Sequence, residues 1–305
     1  MNLERGVCPF CGSYHYFVSD NKYTCFSCFV TGENINEVLI GKIQESDKIP
    51  ILEDACKIFQ KNILSHMEYA KARGIDKKTI QDFRLGYADG RLYFALHNKY
   101  SDEELEKVGL IKLYNEKYRD SFYNRLIFPF INSKGNVIGF GGRITYKSEN
   151  APKYYNSKES EFFKKRKFLF GIDKVSKSSH AFLVEGNMDV VSLYQAGVQN
   201  AVACCGTAFT EPQCILLKSK GIKRLTLALD SDEAGVKGSF RNSKIAEKYF
   251  KIDFLNVPNS KDADEFLKTH SAEDFYKLPV MNKEEFLLRN YKKLGLELSE
   301  LPYLF

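Results

Sequence analysis

The 305-residue sequence predicts a mixed fold, α+β in its first half passing into α/β in its second, on three observations. Two Cys-x-x-Cys pairs fall within the first 28 residues, apolar runs flank a turn signal at Ser133-Lys134-Gly135, and four short apolar runs alternate with helical periodicity between Ala181 and Pro258. With 44% apolar and 14% aromatic residues, the chain can fill one or two ordinary cores, which excludes disorder, collagen-like repeats and a small stapled peptide. Lys and Arg number 45 against 39 Asp and Glu, a net charge of +6 that suits a polyanionic partner if it clusters on one face. No stretch approaches the roughly 18 apolar residues of a membrane span, and the first residues do not read as an export signal. A cytoplasmic protein with no membrane partner is expected.

Residues 1–45 are turn-rich. Cys8-x-x-Cys11 and Cys25-x-x-Cys28 are separated by thirteen residues, so two knuckles can place four thiolates tetrahedrally about one Zn2+. Phe17, Val18, Tyr23 and Phe26 alternate like the strands of a zinc ribbon. So short a segment cannot build its own core, and the metal would therefore be structural. His15 is a weaker competing ligand. The other cysteines, Cys56, Cys204, Cys205 and Cys214, are scattered, a distribution that argues for metal in a reducing compartment over disulfides.

The polar stretch from Gln44 to Lys48 reads as a linker. Beyond it Ile51, Ala55, Ile58, Phe59 and Ile63 recur at helical spacing in a run predicted over Ile51–Arg73, which Gly74 stops. Asp76 can cap a second helix over Lys77–Phe83. Arg125–Ile131 and Asn136–Phe140 read as strands of a hairpin, with Pro129 marking an edge strand. Gly139-x-Gly141-Gly142 lacks the strand-to-helix context of a phosphate loop and predicts a close backbone approach or a bulge.

In the second half, strands are predicted at Ala181–Val184, Ala201–Cys204, Leu225–Leu229 and Phe254–Val257, with helices over stretches such as Val190–Ala196 and Ser243–Tyr249. That alternation means a parallel sheet with right-handed crossovers. Residues Asn282–Phe305 form a short amphipathic tail. Carboxylates follow three of the four strands: Glu185 and Asp189 in Glu-Gly-Asn-Met-Asp, Asp230 and Asp232 in Asp-Ser-Asp, Asp262 and Asp264 in Asp-Ala-Asp. In an open parallel sheet the carboxyl ends of strands share one edge, so acids far apart in sequence converge there. Converging carboxylates repel unless a hard cation sits among them, and Mg2+, held partly by substrate phosphates, implies metal-assisted phosphoryl or nucleotidyl transfer. A single such acid is most simply a solvated loop residue; three pairs, each behind an apolar strand, are not.

Between Lys147 and Lys177 nine Lys and Arg residues outnumber four acids, interleaved with Tyr154, Tyr155, Phe162 and Phe163. Such a segment is either a solvated face or a nucleic-acid groove. The chain has no Gly-x-x-x-x-Gly-Lys-Ser/Thr loop and hence no built-in ATPase motor.

In this order, the segments resemble the bacterial and phage DnaG-type primases along nearly the whole chain. Cys8-Pro-Phe-Cys11 with Cys25-Phe-Ser-Cys28 resembles the family's zinc-binding module. Arg125–Ile144 and Pro152–Ser157 resemble the basic template-binding part of its polymerase domain, and the three acidic motifs resemble those of its TOPRIM fold. Two departures stand out: Cys11 where the bacterial module commonly has histidine, and Phe29 where a glycine is usual.

The resemblance implies a zinc ribbon at 1–45, a basic template-binding subdomain at 50–178, a TOPRIM subdomain at 179–280 and a helical tail at 281–305. It implies primer synthesis from ribonucleoside triphosphates on single-stranded DNA, with Glu185, Asp189, Asp230 and Asp232 catalytic. Glu185, Asp230, Asp232, Asp262 and Asp264 would hold Mg2+ or Mn2+, while Arg125, Arg143, Lys153 and Lys165 would meet template and nucleotide. A replicative helicase is an expected partner in trans. A TOPRIM nuclease or topoisomerase shares the acids, and an idle zinc-ribbon binding protein is the non-enzymatic alternative.

Overall fold

A computed structural model of the chain describes residues 49–176, 178–206 and 208–304, together with four short strands before them. The chain divides into two compact units, Asp47–Lys165 and Met1–Ser46 with Arg166–Phe305. The early strands β1 (Glu4–Gly6), β2 (Tyr16–Ser19), β3 (Lys22–Cys25) and β4 (Thr31–Glu33) form an antiparallel sheet in chain order, with Tyr16 opposite Cys25. The zinc assignment to Cys8, Cys11, Cys25 and Cys28 lies outside the described side chains.

The middle unit opens with α1 (Pro50–Asn62), whose proline takes the first helical position, where no backbone N–H is needed. Ile51, Leu52, Ala55, Cys56 and Phe59 make its buried stripe. The helix does not run on to Arg73 as the periodicity predicts. It passes through a 3-10 turn at Ile63–His66 into α2 (Met67–Ala72). Ser65 Oγ and His66 Nδ1 both reach the Asn62 carbonyl, each at 3.0 Å, and compete for an acceptor that the α-helical ladder would use. The next helix, α3 (Lys77–Asp82), starts as expected, the Thr79 N–H donating to Asp76 Oδ1 at 2.6 Å.

The unit continues through β5 (Gly86–Ala88), α4 (Leu92–Leu96), α5 (Asp102–Lys107) and a ribbon of β6 (Ile111–Tyr114) with β7 (Lys117–Asp120). Strands β8 (Arg125–Ile131), β9 (Val137–Ile144) and β10 (Tyr154–Asn156) then complete an antiparallel sheet in the order β10-β9-β8-β5. The predicted hairpin is present, its turn closed by Asn132 Oδ1 accepting from the N–H groups of Lys134 and Asn136. The edge assignment for Pro129 needs correction, because β8 is an inner strand. Proline is tolerated there since β5 pairs only with Arg125–Ile127 and ends before residue 129, so no partner on that side asks for its missing N–H. Phe59, Phe122 and Phe140 pack edge to face at the centre of the core, with ring centroids 5.3 and 6.1 Å apart.

The last unit alternates β11 (His180–Val184), α6 (Asn187–Ala196), β12 (Ala201–Ala203), α7 (Glu211–Ser219), β13 (Arg224–Leu227), α8 (Glu233–Ala246) and β14 (Lys251–Phe254). All pairings are parallel, in the order β12-β11-β13-β14. The fourth strand lies three residues earlier than its apolar run predicts, since this edge strand alternates Lys251, Ile252, Asp253, Phe254. Helix α8 begins ten residues before the predicted Ser243, with Gly235 and Gly238 in its early turns buried against the Asp230 backbone and the Leu229 side chain. Helices α9 (Ala263–Phe266), α10 (Ala272–Lys277) and α11 (Lys283–Leu294) and a 3-10 turn at Leu298–Tyr303 close the chain, and Phe286 stacks on Phe254 at 4.1 Å. Among the described residues no helix is long and apolar enough to cross a membrane.

Candidate catalytic centre

The order second-first-third-fourth puts β11 and β13 side by side while their connections leave in opposite directions. A crevice forms at the carboxyl ends of such a pair. Glu185 follows β11 directly, Asp230 and Asp232 close the segment after β13, and Asp262 sits before α9. Two of these acids feel one another, Asp230 nearly buried and Glu185 the more exposed. Burial raises the Glu185 pKa above its ordinary value, and the charges of Asp230 and Asp232 raise it further. Asp230 is raised by burial and by Asp262 and Asp232, against the opposing pull of Lys261, whose Nζ lies 3.0 Å from Asp230 Oδ2.

The other acids have local duties. Asp232 caps α8, accepting from the Gly235 N–H at 2.9 Å, and Asp262 caps α9, accepting from Glu265 N–H at 2.8 Å. Asp189 is buried and takes two backbone N–H bonds, Gly186 at 3.0 Å and Asp264 at 3.1 Å, which tie the first acidic loop to the third. Burial, followed by the Asp262 charge, pushes its pKa up to about 7. Asp264 accepts from the Ser192 hydroxyl at 2.6 Å. The structure thus gives Asp189 and Asp264 a bracing part, while the Glu185 carboxylate meets the Asp230 backbone and the Asp230 carboxylate meets Lys261.

A cavity of about 380 Å³ opens beside Glu185. Its walls are the carboxyl end of β11, Cys204, Gly206 and Ala208, and the face of α8 that carries Lys237 and Arg241. Sequence reasoning missed these two cations and Lys261. The i, i+4 spacing of Lys237 and Arg241 was a readable signal, hidden by the late start assigned to their helix.

The four predicted basic contacts all belong to the middle unit. Arg125 is buried, its Nη1 donating to the carbonyls of Gly142, Pro152 and Lys153 at 3.2, 3.0 and 3.4 Å, and burial lowers its pKa. Arg143 donates to the Tyr154 hydroxyl at 3.2 Å and lies over that ring, as does exposed Lys153. Lys165 opens a 3-10 turn, Lys165–Lys167. Gly142 provides the close approach foreseen for the glycine run: a Cβ there would stand 2.9 Å from both Arg125 Cδ and Phe122 Cδ1.

Two family models match the chain, the N-terminal domain of the DNA primase catalytic core over residues 55–176 and a Toprim-like domain over 182–267. Together with the acids at the sheet edge, they define a protein built around a Toprim catalytic core. The DNA primase of Clostridium acetobutylicum is 37% identical over 275 residues, 86% of this chain and 46% of the relative. That of Aquifex aeolicus is 31% identical over 331 residues, 94% of this chain and 66% of the relative. Among solved structures, the zinc-binding and RNA polymerase domains of the Aquifex aeolicus primase superpose with a TM-score of 0.70 at 28% identity, covering 97% of this chain and 85% of that one. A DnaG primase catalytic domain bound to single-stranded DNA gives 0.74 at 25%, over 84% and 89%. The chain belongs to the DnaG-type primases. It spans about half the length of the curated relatives that it first matches.

Proposed function

We propose that the chain is a DNA-dependent RNA primase that joins ribonucleotides on a single-stranded DNA template by metal-dependent nucleotidyl transfer. One observation carries this reading beyond family membership: two carboxylates from neighbouring strands, nearly buried Asp230 and the more exposed Glu185, repel each other, and Glu185 lines a cavity walled by Lys237 and Arg241. Among the described residues no three ligand side chains form a ready cage. The donor set nonetheless fits Mg2+ or Mn2+, since such ions keep several waters and bind through one or two carboxylates plus substrate phosphates. Glu185 and Asp230 would hold the cation, with Asp232 and Asp262 near enough to add charge. When bound, it supplies neutralisation of the charge that grows on the transferred phosphoryl group.

The residues then divide the work. Lys237 and Arg241 meet the triphosphate, and Asp189 and Asp264 brace the acidic loops. The 3′-hydroxyl of one nucleotide forms a bond to the α-phosphorus of the next, and the bond to pyrophosphate breaks. Arg143, Lys153 and Lys165 bind template phosphates, with Arg125 holding the Pro152 and Lys153 backbone beneath them. That a related catalytic domain has been solved with single-stranded DNA supports this template class. One Zn2+ on Cys8, Cys11, Cys25 and Cys28 would fold the segment before residue 46. A replicative helicase supplied by another chain is the expected partner.

The test is primer synthesis on random single-stranded templates with labelled ribonucleotides. Asp230→Asn and Glu185→Gln, nearly isosteric, should abolish synthesis while circular dichroism and single-strand affinity stay close to wild type. Wild-type protein that cuts DNA and joins no ribonucleotides would establish a Toprim nuclease instead.

A further inference from the structure

Lys261 stands in the acidic centre by construction. The Ser231 N–H donates to the Lys261 carbonyl at 2.9 Å and Ser231 Oγ donates to the Val257 carbonyl at 3.2 Å, so the loop before α9 is laced to the Asp230-Ser231-Asp232 segment. The Lys261 N–H is itself fixed on Glu265 Oε2 at 2.7 Å. With its backbone pinned on both sides, the side chain reaches Asp230 Oδ2 at 3.0 Å. Asp230 is 11% exposed and faces Glu185, Asp232 and Asp262, whereas the Lys261 stem is 57% exposed. A nearly buried carboxylate among three like charges needs a positive neighbour, and the solvated end of this pair is the ammonium.

We infer that Lys261 is the resident counter-ion of the acidic centre: its ammonium holds the Asp230 carboxylate in the absence of a divalent cation and gives up that oxygen when one binds. The inference rests on the reading that Glu185 and Asp230 take the cation. It makes Lys261 a positioning residue that lowers metal affinity. Removing the ammonium leaves the acids mutually repelling, so the metal-free protein loses stability and the centre gains affinity for added cation.

Mn2+ binding to the full chain, followed by electron paramagnetic resonance of free Mn2+ without nucleotide or DNA, tests this directly. Lys261→Met should bind Mn2+ about threefold to tenfold more tightly than wild type, the scale of one partly exposed charge pair. Its metal-free unfolding midpoint should fall, and the rise on adding Mn2+ should exceed that of wild type. Lys261→Arg, which keeps the charge, should behave as wild type, and so should Lys78→Met, which removes a surface ion pair in the other unit. Unchanged or weaker binding in Lys261→Met, with binding lost in Asp230→Asn, overturns the counter-ion alone. Mn2+ binding that survives Asp230→Asn intact, or is absent from wild type and Lys261→Met alike, overturns the acidic-centre reading and the counter-ion with it. If Lys261→Met lacks native circular dichroism, the same titration on Lys261→Gln decides.

Discussion

Arg125 and Lys153 are both basic residues of one segment, yet they predict opposite phenotypes. Three carbonyls accept from the Arg125 guanidinium, and Arg125→Ala would leave them short of a donor in a buried setting. A loss of about 2–3 kcal/mol in urea unfolding is expected, with any defect in DNA binding following from displacement of the Gly142 and Pro152–Lys153 backbone that Arg125 holds. Lys153→Ala should leave stability within about 0.5 kcal/mol and instead lower the slope of log affinity against log salt by about 0.7 on single-stranded DNA. Sequence shows that both are cationic but not which is buried, because burial is decided by the Gly142 and Pro152 backbones that close around Arg125.

His180 gives a pH signature at the same scale. Burial and the Arg224 charge lower its pKa, while its Nε2 lies 2.8 Å from Thr226 Oγ1. The unfolded chain therefore binds a proton at a higher pH than the folded one does. Stability from this site is present above the ordinary histidine pKa of about 6.5 and is lost as pH falls from there toward the lowered folded value, by at most about 1.4 kcal/mol per unit. His180→Gln should flatten that part of the stability profile, read from urea midpoints between about pH 7 and 5.

Two glycines decide how elements meet. The place of a Cβ on Gly235 is 2.0 Å from the Asp230 carbonyl oxygen, so α8 seats directly on the acidic loop. Gly235→Ala must push the loop away, and it should abolish both Mn2+ binding and primer synthesis even though no ligand side chain changes. On Gly86 a Cβ would fall 2.4 Å from Phe59 Cβ, at the crossing of β5 and α1. Gly86→Ala should cost about 3 kcal/mol or more in unfolding free energy, and its damage should centre on the middle unit.

At this scale much was legible from pattern. The hairpin through Asn132–Asn136, the cap at Asp76 and the parallel strands β11 to β13 follow from turn residues and apolar runs. What was hidden shares a cause. The break after Asn62 comes from side chains competing for a carbonyl, the early start of α8 from glycines in close contact, and the shift of β14 from the polar face of an edge strand. Each depends on a neighbour distant in sequence or on a hydrogen bond that periodicity does not encode.

The middle unit is one unbroken stretch of chain, Asp47–Lys165, with its own aromatic core. Expressed alone, it should fold cooperatively, with a single urea transition and dispersed amide resonances, and it should keep weak salt-dependent affinity for single-stranded DNA. A broad, non-cooperative transition would show that its core needs the rest of the chain. The acids were visible to sequence reasoning because each follows an apolar strand. Lys237, Arg241 and Lys261 were not, since a lysine or arginine on a helix or loop looks the same whether it faces solvent or a carboxylate.

The contact between Lys261 and Asp230 also sets an order of events during synthesis. Glu185 and Asp230 leave the ribosome well before Lys261 does, so for part of its life the nascent sheet carries clustered negative charge and no ammonium to offset it. In that interval the loop after β13 lacks the bonds from Ser231 to the Val257 and Lys261 carbonyls that lace it in the finished protein. The acidic edge is therefore completed only after all four strands of its sheet have been made. A chain that ends before residue 261 lacks both the carbonyl that takes the Ser231 N–H and the ammonium that faces Asp230.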